Sequence, residues 1–359
     1  MSVMITGLGT AVPEHQIEQE DAAEQAARIC CQTQVQQRLV KALYRRAGVH
    51  TRHSVVLESD TNGRPAEQSF YKHTALGPTT AERMVAYQVH AAPLAADAAR
   101  AALESADVAA AEITHLVTVS CSGFFAPGFD LSLFDSLPLP ADTTRTHVGF
   151  MGCHGALNGL RVARAFAQAD AEACALVCAL ELCSLHHQYD WDPEQIVANA
   201  LFADGAAAVV VRRGATNDGA WQVVDQRSAV IPGTAELMSW RIGDHGFQMT
   251  LSAQVPQTLD KRLRPWLTAW LAEHDLSIDK IGSWAIHPGG PRILEACASA
   301  IGIAEDALAD SRAVLSEFGN MSSPTILFIL DRMQRRDAPQ PCVVLAFGPG
   351  LAIEAALLR

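Results

Sequence analysis

The stretch HVGFMGCHGALNGLRVARAF, residues 147–166, predicts a strand, a sharp turn and a helix in direct succession. Gly152 permits the turn because it has no side chain to clash there. Apolar residues then recur at helical spacing from Leu157 onward. Cys153 therefore stands at the start of a helix, where the helix dipole and a neighbouring cation lower the pKa of a thiol and favour the nucleophilic thiolate. The alternative is a small buried apolar residue, the usual fate of a cysteine.

A second stretch of the same design lies in the other half of the chain. In SEFGNMSSPTILFIL (316–330), Gly319 and Asn320 take the places of Gly152 and Cys153 at the start of a helix. Two further pairs of segments recur in the same order, 102–120 with 270–287 and 201–211 with 346–357.

Three matches in register indicate an internal duplication. We therefore expect an α/β fold of two similar βαβ-type halves, residues 1–222 and 223–359, packed as a five-layered α/β/α/β/α body. The strands are apolar throughout, as expected for sheets buried on both faces. The first half carries extra residues around 182–200. This packing would bring the two equivalent helix starts, at Cys153 and Asn320, together at the centre.

The composition excludes several classes of protein. Of 359 residues, 49% are hydrophobic and 18% are charged, which suits a large core and argues against disorder. The net charge of -12 gives no support to the binding of nucleic acid or of an anionic membrane. No apolar run reaches the length of a membrane span, and the N-terminus lacks the pattern of a signal peptide.

The cysteines indicate a compartment and argue against a metal centre. Nine cysteines are an odd number scattered along the chain, which suits reduced thiols in the cytoplasm better than a disulfide framework. Cys174 and Cys178 are close in sequence, but no second pair at zinc spacing accompanies them, so we expect no metal. The segment GLGTAVP (7–13) lacks the third glycine of a dinucleotide-binding fingerprint.

Two further polar residues suit the chemistry of a nucleophilic cysteine. His287 ends a predicted strand, at the edge where α/β sheets place ligands, and an imidazole can hydrogen-bond a thioester oxygen or pair with a thiolate. The Asn320 amide is a neutral donor for a developing enolate oxygen. Each has an ordinary alternative, a core histidine and a turn asparagine. The repeat, which places Cys153 and Asn320 at equivalent points, favours one joint site.

Over almost its whole length the sequence resembles the chalcone and stilbene synthases, which are type III polyketide synthases. The resemblance is specific because several separate motifs agree in the order of the family. They are SCSGFFAPGFDLSL (120–133), GCHGALNGLRVA (152–163), ALFADGAAAVVV (200–211), IHPGGPRIL (286–294), FGNMSSPTILFIL (318–330) and FGPGLAIEAALL (347–358).

This resemblance implies a thiolase-like fold and a homodimer that condenses acyl-CoA and malonyl-CoA without a cofactor. It implies that Cys153 holds the starter and the growing chain. His287 and Asn320 then bind the malonyl thioester carbonyl and promote decarboxylation. Phe202 corresponds to the aromatic gatekeeper between the coenzyme A tunnel and the cavity. The loop that shapes the cavity wall corresponds to Gly348, Pro349 and Gly350.

The sequence departs from plant members of the family in the predicted cavity. Met249 takes the place of a second gatekeeper phenylalanine, and its narrow, flexible side chain loosens the gate. Ala126 stands where plant members carry a methionine that enters the cavity of the partner subunit. Other departures are His154, Cys183, His186 and His187. The looser gate at Met249 favours an aliphatic or bulky acyl starter and a resorcinol or pyrone product, while a phloroglucinol stays open.

An acidic protein needs local basic residues to bind the phosphates of coenzyme A. Lys41, Arg45 and Arg46 supply one candidate mouth, and helical spacing places Lys41 and Arg45 on the same face. The alternative is an ordinary solvated helix face.

Three other functions remain open at this stage. A β-ketoacyl synthase III-like enzyme uses the same three residue types but stops after one condensation, and HPGGP (287–291) favours the polyketide family over it. A hydroxymethylglutaryl-type synthase requires a glutamate base, for which Glu181 is a candidate. A non-catalytic acyl-binding protein of the same fold would not require Cys153, His287 and Asn320.

Overall fold

The chain forms a mixed α/β structure, as the sequence predicts. The computed structural model describes residues 2–59, 65–72, 76–215 and 220–359. Its strands are β1 (Ser2–Ala11), β2 (Gln16–Glu18), β3 (Thr51–His53), β4 (Glu58–Ser59), β5 (Pro65–Glu67), β6 (His115–Ser120), β7 (Thr144–Gly149), β8 (Cys174–Leu182), β9 (Asp204–Gly214), β10 (Trp221–Val230), β11 (Met238–Gly243), β12 (Gly246–Leu251), β13 (Ser283–Ile286), β14 (Cys342–Gly348) and β15 (Ala352–Leu358). Its helices are α1 (Gln19–Cys30), α2 (Gln34–Arg46), α3 (Thr80–Ala106), α4 (Phe129–Ser136), α5 (Gly155–Ala169), α6 (Pro193–Leu201), α7 (Val255–Ala272), α8 (Pro291–Ile301), α9 (Ala309–Phe318) and α10 (Thr325–Arg335).

The main sheet is two half-sheets joined by a narrow seam. Its strand order is β13-β14-β15-β10-β1-β9-β8-β6-β7. Strand β1 pairs with β9 along its whole length, but it pairs with β10 only through Met4–Gln222 and Ile5–Trp221. The predicted division after residue 222 falls within β10, and this division into domains stays a prediction.

Alternate side chains of each half-sheet enter different apolar cores, because successive residues of a strand point to opposite faces. In β6, Val117 and Val119 pack with α5 and α10, whereas Leu116 packs with α3 on the outer face. In β14, Val344 joins the same middle core, whereas Leu345 packs with α7 and α8. The chain therefore forms the predicted five layers, with α5 and α10 between the half-sheets.

The backbone also confirms the duplication. Asp107 follows α3 with φ 50°, and Asp275 follows α7 with φ 57°, both in the left-handed region. A single 3-10 turn comes next in each half, Ala110–Glu112 before β6 and Ile278–Lys280 before β13. The same local structure thus arises twice from matching sequence.

The extra residues of the first half lie between β8 and β9. They form a 3-10 turn, Cys183–His186, followed by α6, whereas β14 and β15 are joined directly by a short turn. This insertion is where the sequence analysis expects it, and it supplies part of the wall of the site.

Strand β1 is an element that the sequence analysis does not predict. It lies between the two half-sheets, and Gly7 and Gly9 allow it to touch α3. A Cβ at either glycine would collide with the α3 backbone around Ala102. The alternating glycines of β1 lack the β-branched pattern that indicates a buried strand. Only the packing of β1 against α3 explains these glycines.

No helix among the described residues has both the length and the apolar character to span a bilayer.

Candidate active site

Cys153 lies in a single 3-10 turn, Gly152–His154, between β7 and α5. Gly152 has φ 74°, and a Cβ there would lie 2.5 Å from Cδ of Pro349. Only glycine combines this backbone angle with so close an approach. The thiol itself is buried, 7% exposed. The predicted turn and helix are therefore present.

The fold brings His287 and Asn320 to Cys153. His287 follows β13, and its backbone N–H donates to Leu345 O at 2.8 Å. Asn320 follows Gly319, whose φ is also 74°, but it pairs with the chain at Phe202 rather than opening α10 directly. The three predicted catalytic residues line one chamber, here called the catalytic chamber.

A hydrogen bond from Ser322 holds the thiol. Ser322 Oγ donates to Cys153 Sγ at 3.5 Å, and the nearby Asn320 side chain acts with it to lower the pKa of the thiol. The Asn320 amide is oriented because its Oδ1 accepts from Ser322 N–H at 2.8 Å, which leaves its NH2 group for the chamber. These bonds point the sulfur and the amide donor toward the same space.

The expected lowering of the Cys153 pKa is wrong for the resting structure. Burial raises the pKa of Cys153 to about 11, although hydrogen bonds from Ser322 and Asn320 oppose the rise. The sequence analysis assumed a cation beside the thiol, and His287 does not supply that charge. Burial and the nearby His154 lower the pKa of His287 to about 3, so its ring is neutral. The resting pair is thus a neutral thiol and a neutral imidazole.

His287 has an unusual position for a buried histidine. It is 1% exposed, and neither of its ring nitrogens has a hydrogen-bond partner among the described residues. An unpaired buried polar group costs stability, so its retention indicates a partner that binds during function. The Asn320 amide group lies at the same chamber. Together they offer donors for one substrate oxygen.

Phe202 and Met249 lie where three chambers meet. Both line the catalytic chamber, and both line a second one, here the inner chamber, which Cys121 and Cys153 also line. Both also line a third, here the deep chamber, which extends to α1. Their position is that of a gate, and the assignment as gatekeepers stays a prediction.

Glu181 is a site residue whose role the sequence analysis did not foresee. It is fully buried at the inner chamber and accepts hydrogen bonds from the N–H groups of Cys121 and Ser122 and from Ser122 Oγ and Ser323 Oγ. Burial raises its pKa, and these bonds oppose the rise. Its lone pairs are engaged, so the carboxylate ties β8 to the loop after β6 and is not free as a base. The signal in the sequence that could have identified Glu181 was a single charged residue in an otherwise apolar strand.

His186 belongs to the wall of the deep chamber. Its Nδ1 accepts from Phe247 N–H at 3.0 Å, so Nε2 carries the proton and donates to Ser122 O at 2.6 Å. The ring stacks on Phe247 with centroids 4.1 Å apart. Both nitrogens are occupied by backbone, and His186 offers only its ring to a ligand. Its predicted substrate contact is therefore apolar.

The predicted wall loop lies beside the nucleophile. Pro349 lines the inner chamber and packs on Gly152. Gly348 is in contact with the His154 ring, and Gly350 has φ 124°. Ala126, by contrast, is exposed on the surface and lines none of the three chambers.

A groove leads to the catalytic chamber from outside. The two share Leu251, Gly289 and Ile293 in their walls. Of the three predicted basic residues, only Arg46 lines this groove, together with Arg292, which the sequence analysis did not select.

Lys41 and Arg45 are not part of the groove. Lys41 forms an ion pair with Glu24 of α1, and Arg45 is exposed on another face of α2. Lys41 and Arg45 share one face of α2, as their spacing predicts. Spacing along the chain does not determine which face of α2 meets the site.

The chain is similar to known proteins throughout its length. Residues 2–215 match the family model described as chalcone and stilbene synthases, N-terminal domain, and residues 222–359 match that of the C-terminal domain. A 1,3,6,8-tetrahydroxynaphthalene synthase of Streptomyces peucetius subsp. caesius is 36% identical over 99% of this chain and 92% of its own length. An alpha-pyrone synthesis polyketide synthase-like protein, Pks18, of Mycobacterium tuberculosis is 32% identical over 99% of this chain and 90% of its own length.

Solved structures agree with this similarity. The crystal structure of PKS-I from the brown alga Ectocarpus siliculosus superposes with a TM-score of 0.94 at 32% identity, covering 100% of this chain and 98% of that one. The five-layered body is therefore the thiolase-like fold of type III polyketide synthases.

Proposed function

The chain belongs to the chalcone and stilbene synthase family of type III polyketide synthases, and from that premise we propose that it condenses malonyl-CoA repeatedly onto an acyl-CoA starter held on Cys153. The polyketide then cyclises to a resorcinol, a pyrone or a phloroglucinol. The observation that carries this proposal is the buried imidazole of His287, which has no hydrogen-bond partner among the described residues and lies in one chamber with Cys153 and Asn320.

Loading of the starter is the first step. Cys153 Sγ attacks the carbonyl carbon of the acyl-CoA, the new C–S bond forms, and the bond to coenzyme A breaks. Because the resting thiol is protonated, His287 accepts its proton and then delivers it to the departing coenzyme A thiolate. The neutral state of His287 suits this role, since a protonated ring could not accept the proton.

Decarboxylation and condensation follow in the same chamber. The bond between the malonyl carboxylate and its α-carbon breaks, carbon dioxide leaves, and an enolate of acetyl-CoA remains. The Asn320 amide and a His287 N–H stabilise the enolate oxygen, because both donors are fixed in a buried space where a developing charge is poorly screened. The enolate carbon attacks the thioester on Cys153, and the thiolate leaves as the extended chain passes to coenzyme A.

The chamber walls support an aliphatic or bulky acyl starter. Met249 leaves a more adaptable gate than an aromatic ring, and Ile17, Ile29 and Leu57 line the far part of the deep chamber. Trp240 lines both the deep chamber and the inner chamber. We therefore place the starter chain in the deep chamber and favour a resorcinol or pyrone product.

We further propose that the enzyme is a cytoplasmic homodimer that requires no cofactor or metal. An exposed apolar patch of Phe124, Phe150 and Met151 adjoins the nucleophile turn and supports burial against a second copy. Ala126 lies in the same loop as Phe124, where the family places a contact across the dimer. The nine free cysteines support a reducing compartment.

A product assay tests the proposed function. Purified protein is incubated with radiolabelled malonyl-CoA and a panel of acyl-CoA starters, with Cys153→Ala as the matched inactive variant. We expect multiply extended aromatic or pyrone products that are lost in the variant. A single two-carbon extension would instead indicate a β-ketoacyl synthase III-like enzyme. Absence of turnover with every starter would refute the proposed chemistry.

A further inference from the structure

The deep chamber has a polar end that the proposed chemistry does not use. Arg52 and His187 both line it, while neither Cys153 nor His287 does. Arg52 Nε and His187 Nε2 are buried, and neither has a hydrogen-bond partner among the residues that the structure describes. Two unpaired polar atoms in one chamber indicate a ligand that supplies their partner.

Except for this one free N–H, the guanidinium of Arg52 is held rigidly by hydrogen bonds. Its Nη1 donates to Asn199 O at 2.7 Å and to Phe202 O at 2.8 Å, and its Nη2 donates to Ala200 O at 2.6 Å. The guanidinium is therefore tied to the end of α6 and to the gate residue Phe202. Its Nε–H is fixed in place as a donor.

His187 faces the chamber as a neutral ring. Burial, together with the charges of Arg83 and Arg52, lowers the pKa of His187 to about 3. Its ring packs against Tyr71 with centroids 5.5 Å apart. A neutral imidazole nitrogen can donate or accept, so Nε2 can bond either a carbonyl or a hydroxyl oxygen.

Side chains of both charge signs surround this end of the chamber. Asp204 is fully buried, accepts from Ser184 N–H at 2.7 Å and Val55 N–H at 2.8 Å, and supplies the negative charge that acts on Arg52. Arg52 and Arg83 add positive charge, which lowers the pKa of His187. An acyl chain on Cys153 carries ketone or hydroxyl oxygens rather than anionic groups, and such an oxygen satisfies the free donor.

We propose that the deep chamber binds the far end of the acyl group carried by Cys153, and that Arg52 Nε and His187 Nε2 hydrogen-bond a neutral ketone or hydroxyl oxygen there. This inference rests on the proposed function and deepens it by naming a substrate class. The oxygen belongs either to an oxygenated starter or to the first carbonyl of the growing chain. Both sources present the same chemistry.

Matched substrates and variants separate these sources. Acyl-CoA starters from hexanoyl to dodecanoyl are compared in pairs, with and without a ketone on the penultimate carbon. The variants are His187→Leu, His187→Gln, which restores a polar group, and His50→Leu as a control at an exposed histidine outside the chamber. The readouts are kcat/KM for each starter and the number of malonyl units in each product.

If the oxygen belongs to the starter, we expect a change in selectivity. His187→Leu should then lower about tenfold the ratio between kcat/KM for the ketone starter and kcat/KM for its alkyl partner. The growing chain as the source predicts fewer malonyl units from alkyl starters in that variant. His187→Gln recovers most of either effect, and His50→Leu shows neither.

Two results would overturn the inference. One is that neither the ratio nor the number of extensions changes in His187→Leu. The other is an equal loss for both starters of a pair without a change in extension, which indicates a structural role for His187. Product from wild-type enzyme in the same assay decides the proposed function separately. If no starter is extended, both proposals fail. Extension that does not depend on His187 contradicts only the proposed binding of an oxygen in the deep chamber.

Discussion

Gly152→Ala tests whether the backbone at the nucleophile turn requires glycine. The residue has φ 74°, and a Cβ there would lie 2.5 Å from Cδ and 3.2 Å from Cγ of Pro349. The left-handed angle costs a residue with a side chain about 1–2 kcal/mol, and relief of the overlap costs a further ~1–3 kcal/mol. Reduced freedom of the unfolded chain returns about 0.4–1 kcal/mol.

Gly233→Ala is the matched control. Gly233 has φ 75°, and nothing lies within 4 Å of the Cβ position. This variant carries the same backbone cost without the collision, so we expect a loss of about 1 kcal/mol in the free energy of unfolding. Gly152→Ala should lose about 3 kcal/mol, the difference being the displacement of Pro349.

Urea denaturation of both variants measures these free energies, and product formation measures the consequence for the site. A shift of Cys153 or Pro349 by about 1 Å should lower kcat for Gly152→Ala about a hundredfold, while Gly233→Ala keeps wild-type kcat. Equal stability and equal activity of the two variants would refute the assignment of Pro349 as a rigid wall against the turn.

Three further changes test other parts of the site and its support. Met249→Phe should narrow the gate and lower kcat/KM for dodecanoyl-CoA about tenfold relative to acetyl-CoA; unchanged selectivity would argue against a gate at this position. Trp240→Ala should enlarge the inner chamber, admit bulkier starters by mass spectrometry of the products, and lower the free energy of unfolding by about 3 kcal/mol. Arg161→Leu removes the ion-pair partner of Glu354 and should cost about 1 kcal/mol in urea denaturation, because Arg161 is 38% exposed and Glu354 keeps its hydrogen bonds from Ser228 and Asn158; adding Glu354→Gln should recover most of that loss, and no recovery would show that the charge pairing is not the cause.

Residues that are neighbours in sequence determined the turns and the layers. The glycine before Cys153 and the helical spacing after it sufficed to predict the turn and α5. The aspartates at 107 and 275 marked equivalent helix ends because a short polar side chain tolerates left-handed backbone. These features depend on steric preferences of a few consecutive residues, so they can be inferred without knowing what packs against them.

The resemblance to the family indicated His287 and Asn320, and the fold places both at the chamber of Cys153. It could not indicate the electrostatic state of that chamber. A helix start predicted a lowered thiol pKa, whereas burial raises the pKa of Cys153 and lowers that of His287. Desolvation is a property of everything that surrounds a group, and it outweighs the helix dipole here.

The sequence by itself determined the duplicated five-layered fold and the three residues of the candidate site. Only the tertiary structure decided that Arg46 and Arg292, rather than Lys41, line the outer groove, and that Glu181 is held by hydrogen bonds. It also decided that Arg52 and His187 each have a buried nitrogen without a hydrogen-bond partner in the described part of the chain. The physical reason is the distance along the chain between the residues that interact. Periodicity and turns arise from contacts along the chain, whereas burial and hydrogen-bond satisfaction depend on segments far apart in sequence.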